Sequence, residues 1–255
     1  MKNNVLVFSI ALNGYQWLYK DCIASHKRYA ESNGYIYQVV TRPYATSIGV
    51  ECCWLKLTLM IEALDSGYDA VLFVDADAYI QTHTPKLSSV LLPDKYVYLA
   101  KSYTGRYNSG VILLKNHNKA RRWLNSIIIA RHQPISAKND VGWGENGHII
   151  EYTQHCQFVT TLDRVWNNTY DPELDDYIRH FSFGPLRTNF WLNLSHKMLA
   201  RLTKLFSKCH ALSEIITQSY PPQDKLTKLP ELIFFLLFTF DPADEYVMCT
   251  HDLLR

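Results

Sequence analysis

Residues 71–80 read VLFVDADAYI, four apolar residues followed by Asp75-Ala76-Asp77. A run of that kind is a buried strand that presents two carboxylates at its exposed carboxyl end. Strand side chains alternate, so Asp75 and Asp77 point to one side and Ala76 to the other, and one ion or ligand can meet both acids. Hard cations such as Mg²⁺ or Mn²⁺ take oxygen ligands of this type. A cation held by so few carboxylates completes its shell with water and substrate phosphates, which makes a nucleotide or sugar nucleotide the natural second partner. Paired aspartates also cap strands without any metal, and the motif alone leaves both readings open.

On either side the sequence alternates strand and helix patterns as a parallel sheet demands. Val5 to Leu12 has the pattern of a buried strand, Tyr15 to Ser32 that of a helix capped by Gly34, and Tyr35 to Val40 that of a β-branched and aromatic strand. After an irregular stretch containing Pro43, a helix is expected from about Glu51 to Ser66, stopping at Gly67, with Trp54, Leu57, Ile61 and Leu64 as its core stripe. Ala70 to Val74 then delivers the aspartates beyond the carboxyl end of a strand, where ligands of open α/β sheets bind. Tyr96 to Ala100 and Gly110 to Leu114 read as further strands, and Asn118 to Arg131 as a helix. Residues 132–144 are polar and irregular; Glu145 to Tyr152 reads as helix, with short strands at Gln157 to Leu162 and Tyr177 to Phe183. Beyond Phe190 the pattern is helix-rich. The expected architecture is an α/β domain over residues 1–190, with a mostly parallel sheet flanked by helices, and a helical C-terminal extension over 191–255.

A chain of 255 residues suffices for one sizeable α/β domain with an extension, and 47% hydrophobic and 20% charged residues are ordinary for a globular protein. A formal net charge of +2 makes no case for a dedicated nucleic-acid binder. Seventeen Tyr and six Trp fit stacking against carbohydrate or nucleobase, although most such rings fill cores. The six cysteines, at 22, 52, 53, 156, 209 and 249, show no CxxC pairing and read as reduced thiols. The N-terminal apolar run is short and ends at Asn13-Gly14, so it reads as the first strand rather than a signal peptide. The longest apolar run, Leu232 to Phe240, is nine residues, short of the ~20 that span a bilayer. A cytoplasmic location is the expectation, and the sequons at Asn167 and Asn193 matter only for a secreted chain.

Five short segments, spread over roughly residues 5 to 188, together resemble a GT-A fold glycosyltransferase, closest to the galactosyl- and xylosyltransferase family of the fungal galactomannan and mannan type. Trp54-Leu55-Lys56 resembles that family's W-x-K helix, whose Lys lies near the donor phosphates. On its own, Lys56 is an exposed helical lysine off the apolar stripe. Asp75-Ala76-Asp77 resembles the loop that holds Mn²⁺ (or Mg²⁺) and the donor ribose. Asn108-Ser109-Gly110 resembles the segment lining the donor-sugar pocket, where Gly permits close approach and Asn supplies amide hydrogen bonds. Gly144-Glu145-Asn146 stands where the family has an acid that faces the reacting sugar; read alone, Glu145 is an acid in a first helical turn. His180-Phe181-Ser182-Phe183-Gly184 resembles the segment whose His completes the metal shell. A Lys usually follows that Gly closely to touch the diphosphate; here Arg187 takes the place, and a guanidinium reads phosphate well.

The resemblance implies a metal-dependent glycosyltransferase that moves a hexose or pentose from a nucleoside diphosphate sugar, UDP being favoured, to a glycan or glycolipid acceptor with retention. Its catalytic residues would be Glu145, Asn146 and Asn108. The metal would sit on Asp75, Asp77 and His180, and the donor on Lys56, Asp75, Ala76, Asp77, Ser109, Gly110, Gly184 and Arg187. A dehalogenase-type phosphohydrolase also uses paired aspartates, but after its first strand. A sugar-nucleotide nucleotidyltransferase would carry a Gly-rich basic loop where this chain has Asn13-Gly14-Tyr15-Gln16. A non-catalytic nucleotide-sugar- or carbohydrate-binding protein on the same fold stays open. In the tail, Lys197, Arg201, Lys204 and Lys208 form a basic stripe at helical spacing, a surface that would either be solvated or lie on an anionic membrane.

Overall fold

A computed structural model describes residues 4–42, 51–142 and 144–182, with positions 186, 194, 198, 201 and 202 beyond them. Gly184, Arg187 and most of the basic stripe lie outside the described residues. The strands are β1 (Val5–Ile10), β2 (Ile36–Val40), β3 (Ala70–Val74), β4 (Ala78–Ile80), β5 (Val97–Lys101), β6 (Tyr107–Lys115), β7 (Val159–Leu162) and β8 (Ile178–His180). The helices are α1 (Tyr15–Leu18), α2 (Lys20–Asn33), α3 (Cys52–Asp65), α4 (Asn118–Ile129) and α5 (Asn146–Thr153). The main sheet has the order β2-β1-β3-β6-β5-β7. All of its strands run one way except β6, which is antiparallel to both β3 and β5.

Strand alternation splits the core between the two faces of this sheet. Leu6, Phe8, Val71, Phe73, Ile112 and Leu114 pack under α3, α4 and α5, against Leu57, Met60, Trp123, Leu124 and Ile149. Val5, Val7, Leu72, Val74, Val111 and Leu113 face the opposite way, toward Tyr29 and Ala30 of α2 and Ala78, Ile80 and Ile178 of the small sheet. Each such fully buried side chain contributes roughly 1.5–3 kcal/mol. Asp75 follows Phe73 in the alternation and therefore emerges on the α3 side.

The expected helix from Tyr15 breaks at Tyr19 (φ −111°, ψ 30°), while Gly34 caps α2 in the left-handed region (φ 69°) as anticipated. Helix α3 keeps Trp54, Leu57 and Leu64 buried and Ile61 half-buried, but Leu55, Lys56, Leu59, Met60 and Ala63 are buried too. Lys56, an exposed lysine by pattern alone, is only 4% exposed, because the start of α5 closes over it. The sequence pattern also misses β4, which pairs antiparallel with β8 as a separate two-stranded sheet and sets Ala78 opposite His180. The other edge of β4 is held by side chains of α2: Ile80 N–H donates to Ser25 Oγ (2.9 Å) and His26 Nε2 donates to the Ala78 carbonyl (2.6 Å). No described helix is long and apolar enough to cross a membrane.

Candidate metal and donor site

Two chain segments meet at the carboxyl end of β3. The loop after β3 brings Asp75 and Asp77, and β8 brings His180; one ligand atom from each lies within 4.8 Å of the others. His180 Nε2 stands 3.3 Å from Asp77 Oδ1 and 3.6 Å from Asp75 Oδ2. Its Nδ1 is 2.9 Å from Asn167 Oδ1, whose amide nitrogen donates in turn to Asn108 Oδ1 at 2.9 Å. Asn108 Oδ1 also accepts from Gly110 N–H (3.0 Å). With Asn167 oxygen facing the ring, Nδ1 is the donor and Nε2 is turned toward the carboxylates, an arrangement that orients a metal-ligating imidazole. Gly110 makes room for it, since a Cβ there would lie 2.0 Å from His180 Cε1.

On the other side of Asp75, Lys56 Nζ reaches Glu145 Oε1 at 2.8 Å, the Ser109 carbonyl at 3.1 Å and Asp75 Oδ1 at 3.6 Å, over the ring of Phe73. Ser109 Oγ donates to the same Glu145 oxygen. Both ends of the Asn146 amide bond to β6 backbone, to Ser109 N–H at 2.9 Å and the Tyr107 carbonyl at 3.1 Å, which fixes the start of α5 against the strand. Gly142 and Gly144, both at positive φ, shape the turn that leads into Glu145. Asp75-Ala76-Asp77 form a turn between β3 and β4, closed by Ala78 N–H donating to the Asp75 carbonyl at 3.0 Å, rather than the continued strand expected from alternation. Ala76 is buried there yet borders the cleft.

The electrostatics agree with that geometry. Burial alone would favour a neutral Lys56, but the charges of Asp75 and Glu145 outweigh it and push its pKa up. Burial raises the Asp75 pKa, against the pull of Lys56 and His180. Burial opposes a charged His180, yet the hydrogen bond and charge of Asp77, together with Asp75, raise its pKa overall. Asp75 and Asp77 thus share one imidazole, and Asp75 and Glu145 share one amine. The oxygens of Asp75 and Asp77, with His180 Nε2 aimed among them, fit a divalent cation of the Mg²⁺ or Mn²⁺ type.

The cluster opens into a cleft of about 520 Å³, bordered by Leu12, Asn13 and Tyr15 after β1, by Asn108, Ser109 and Gly110 of β6, and by Tyr103 and Thr169. That volume is within the range of small-ligand sites. Cys53 also borders it, but burial pushes its thiol up to about 12, so it is not a thiolate nucleophile. Of the residues singled out in the sequence, Lys56, Asp75, Ala76, Asp77, Asn108, Ser109, Gly110, Glu145, Asn146 and His180 all border this one cleft. Asn167, noted in the sequence only as a sequon, backs His180, a role that no pattern signals. Asn167, Asn168 and Thr169 match a surface sequon, yet each is only 1% exposed.

No family model matches the sequence, and no curated protein matches it significantly. Among solved structures, the chain resembles a glycosyltransferase involved in the glycosylation of the major capsid of PBCV-1, with a TM-score of 0.58 and 15% identity over 79% of this chain and 99% of that one. The fold is therefore GT-A. Looser likenesses are to the bifunctional glycosyltransferase WbbM (TM-score 0.46, 14% identity, 71% of this chain and 46% of that one) and to mouse xyloside xylosyltransferase 1 (0.39, 12%, 64% and 86%). Neither overlaps well enough to bear on function.

Proposed function

We propose that this chain is a metal-dependent glycosyltransferase that moves a hexose or pentose from a nucleoside diphosphate sugar, UDP by the resemblance noted in the sequence, to a glycan or glycolipid acceptor with retention. The observation that carries the reading is the convergence of Asp75, Asp77 and His180 at the open end of β3 on a GT-A sheet. The difficult event in such a transfer is departure of a nucleoside diphosphate. Bound to these three residues, Mn²⁺ or Mg²⁺ would neutralise the charge that develops on the diphosphate.

The remaining residues have separable tasks. Lys56 steadies Asp75 and adds a fixed positive charge beside the phosphates. Glu145 has Oε1 committed to Lys56 and Ser109, so in this reading its other oxygen stabilises oxocarbenium character at the sugar rather than taking a proton. Asn108 has its carbonyl engaged and its amide NH₂ available to a sugar hydroxyl. Asn146 positions Ser109 and the head of α5. By the resemblance noted in the sequence, Gly184 and Arg187, which lie outside the described residues, would add to the grip on the diphosphate.

The test is donor hydrolysis by the purified chain across a panel of sugar nucleotides, with Mn²⁺, with Mg²⁺ and with chelator. Metal-dependent hydrolysis of one donor is expected, reduced about a hundredfold or more in Asp77→Ala. Full activity of that variant would remove the metal reading. Binding of a donor without hydrolysis would leave a non-catalytic binding protein, and failure to bind any donor would leave a different chemistry on this fold.

A further inference from the structure

Lys56 and Arg106 both border the cleft. Lys56 is committed to Asp75 and Glu145, whereas Arg106 pairs with no carboxylate among the described residues. Arg106 is half-buried in the turn between β5 and β6, and its Nη1 donates to the carbonyls of Lys138 and Asp140, both at 3.3 Å. These bonds fix the guanidinium in place and leave its charge uncancelled. They occupy one nitrogen of the group, so the Nε and Nη2 edge, the side-on fork that grips an oxyanion, has no acceptor among the described residues.

The surroundings carry the same sign. Lys101, opposite Tyr107 in the β5–β6 hairpin, holds its Nζ 5.7 Å from the centre of the Tyr107 ring, and Lys138 is exposed beside the carbonyl that Arg106 grips. The acid on that segment, Asp140, is exposed and accepts the Gly142 N–H at 2.7 Å. The metal cluster lies further along the strand: the stretch from Arg106 to Gly110, against which Asp75 and His180 stand, is roughly 13 Å long. The cleft therefore has an acid-rich pole suited to a cation and a separate pole at Arg106 suited to an anion. A latch between two loops needs only N–H donors, which Gln also supplies; what Arg adds is the charge and the fork.

We infer that Arg106 makes the site selective for an acidic carbohydrate, one bearing a carboxylate or phosphate group that this guanidinium takes side-on. The inference rests on the transferase reading and narrows its substrate class: either the transferred sugar is a uronic acid or the acceptor is acidic. A neutral sugar also accepts from N–H groups, but only an oxyanion answers both the fork and the uncancelled charge.

Binding to the full chain with Mn²⁺, followed by NMR titration, tests this in two arms. The donor arm compares UDP-glucuronate and UDP-galacturonate with UDP-glucose and UDP-galactose. The acceptor arm, with UDP present, compares methyl glucuronide and glucose 6-phosphate with methyl glucoside. In one arm the acidic ligand should bind more tightly than its neutral counterpart, and Arg106→Gln should weaken it about tenfold or more while leaving the neutral ligand and UDP within about twofold. Arg106→Lys, which keeps the charge without the fork, should recover part of the loss. An Arg106 that only latches the loops would instead give a lower melting temperature in Arg106→Gln and weaken acidic and neutral ligands alike. UDP binding with no acidic preference in either arm, or with a preference that Arg106→Gln leaves unchanged, would overturn the inference and leave the transferase reading standing. An Arg106-dependent preference in the acceptor arm, in a protein that binds no UDP, would keep the anion site and sink the transferase reading. Binding of none of these ligands would remove both.

Discussion

Gly110 shows how tightly the metal cluster is built. A methyl group there would meet His180 Cε1 at 2.0 Å, Nδ1 at 2.5 Å and Asp75 Oδ2 at 2.9 Å. Gly110→Ala should therefore displace the imidazole, costing roughly 1–3 kcal/mol in strain and roughly 10- to 100-fold in Mn²⁺ affinity by calorimetry. Unchanged affinity would take His180 out of the ligand set. Lys56 makes a second prediction, because its partner Glu145 is buried as well, with side-chain exposures of 5% and 3%. Lys56→Met should lower stability by about 3–5 kcal/mol in urea unfolding by stranding a buried carboxylate, and adding Glu145→Gln should recover much of that loss. No recovery would mean that the pair is not the cause. At this scale the two aspartates were plain in the sequence because they interrupt an apolar strand. Pattern alone makes Lys56 an exposed lysine, since helical periodicity carries no information about the distant segment that brings Glu145 over it. The role of Asn167 gave no cue, because a residue that acts through another leaves no periodic mark.

The elements were legible where hydrophobic period and capping agree: β1, β2, β3, α3 and α4 fall within a few residues of their expected bounds. The small β4·β8 sheet was not legible as a pair, since strands of three residues are too short for a period and their pairing spans a hundred residues. It is nevertheless what carries His180 to Asp77, with Phe181 N–H bonding the Asp77 carbonyl at 2.9 Å. The support behind β4 makes a pH prediction. Burial lowers the His26 pKa from its ordinary 6.5 to about 4, against the Ala78 hydrogen bond and the Asp77 charge. The folded state thus disfavours the proton that the unfolded chain accepts. This contribution to stability is full above pH 6.5 and is lost as pH falls toward 4, by up to about 3 kcal/mol. Urea unfolding from pH 7.5 to 4.5 should show that loss in the wild type and a flatter profile in His26→Gln. Equal slopes would mean that His26 is not the responsible group.

For the whole molecule, the sheet order determines where the chemistry sits. The acids leave a central strand beside the reversed β6, so Asp75, the Asn108-Ser109-Gly110 segment and the head of α5 are neighbours, although they lie far apart in sequence. The parallel α/β class and the position of the site at the strands' carboxyl ends were readable from alternation alone. The reversal of β6 was not, because strand direction leaves no trace in composition. The most direct test of a metal that joins this protein to a nucleoside diphosphate is pulsed electron paramagnetic resonance of Mn²⁺ with UDP and the purified chain. One ion should show coupling to an imidazole nitrogen, lost in His180→Ala, and coupling to the phosphorus of UDP. An ion in the wild-type protein that senses neither nucleus would contradict the account.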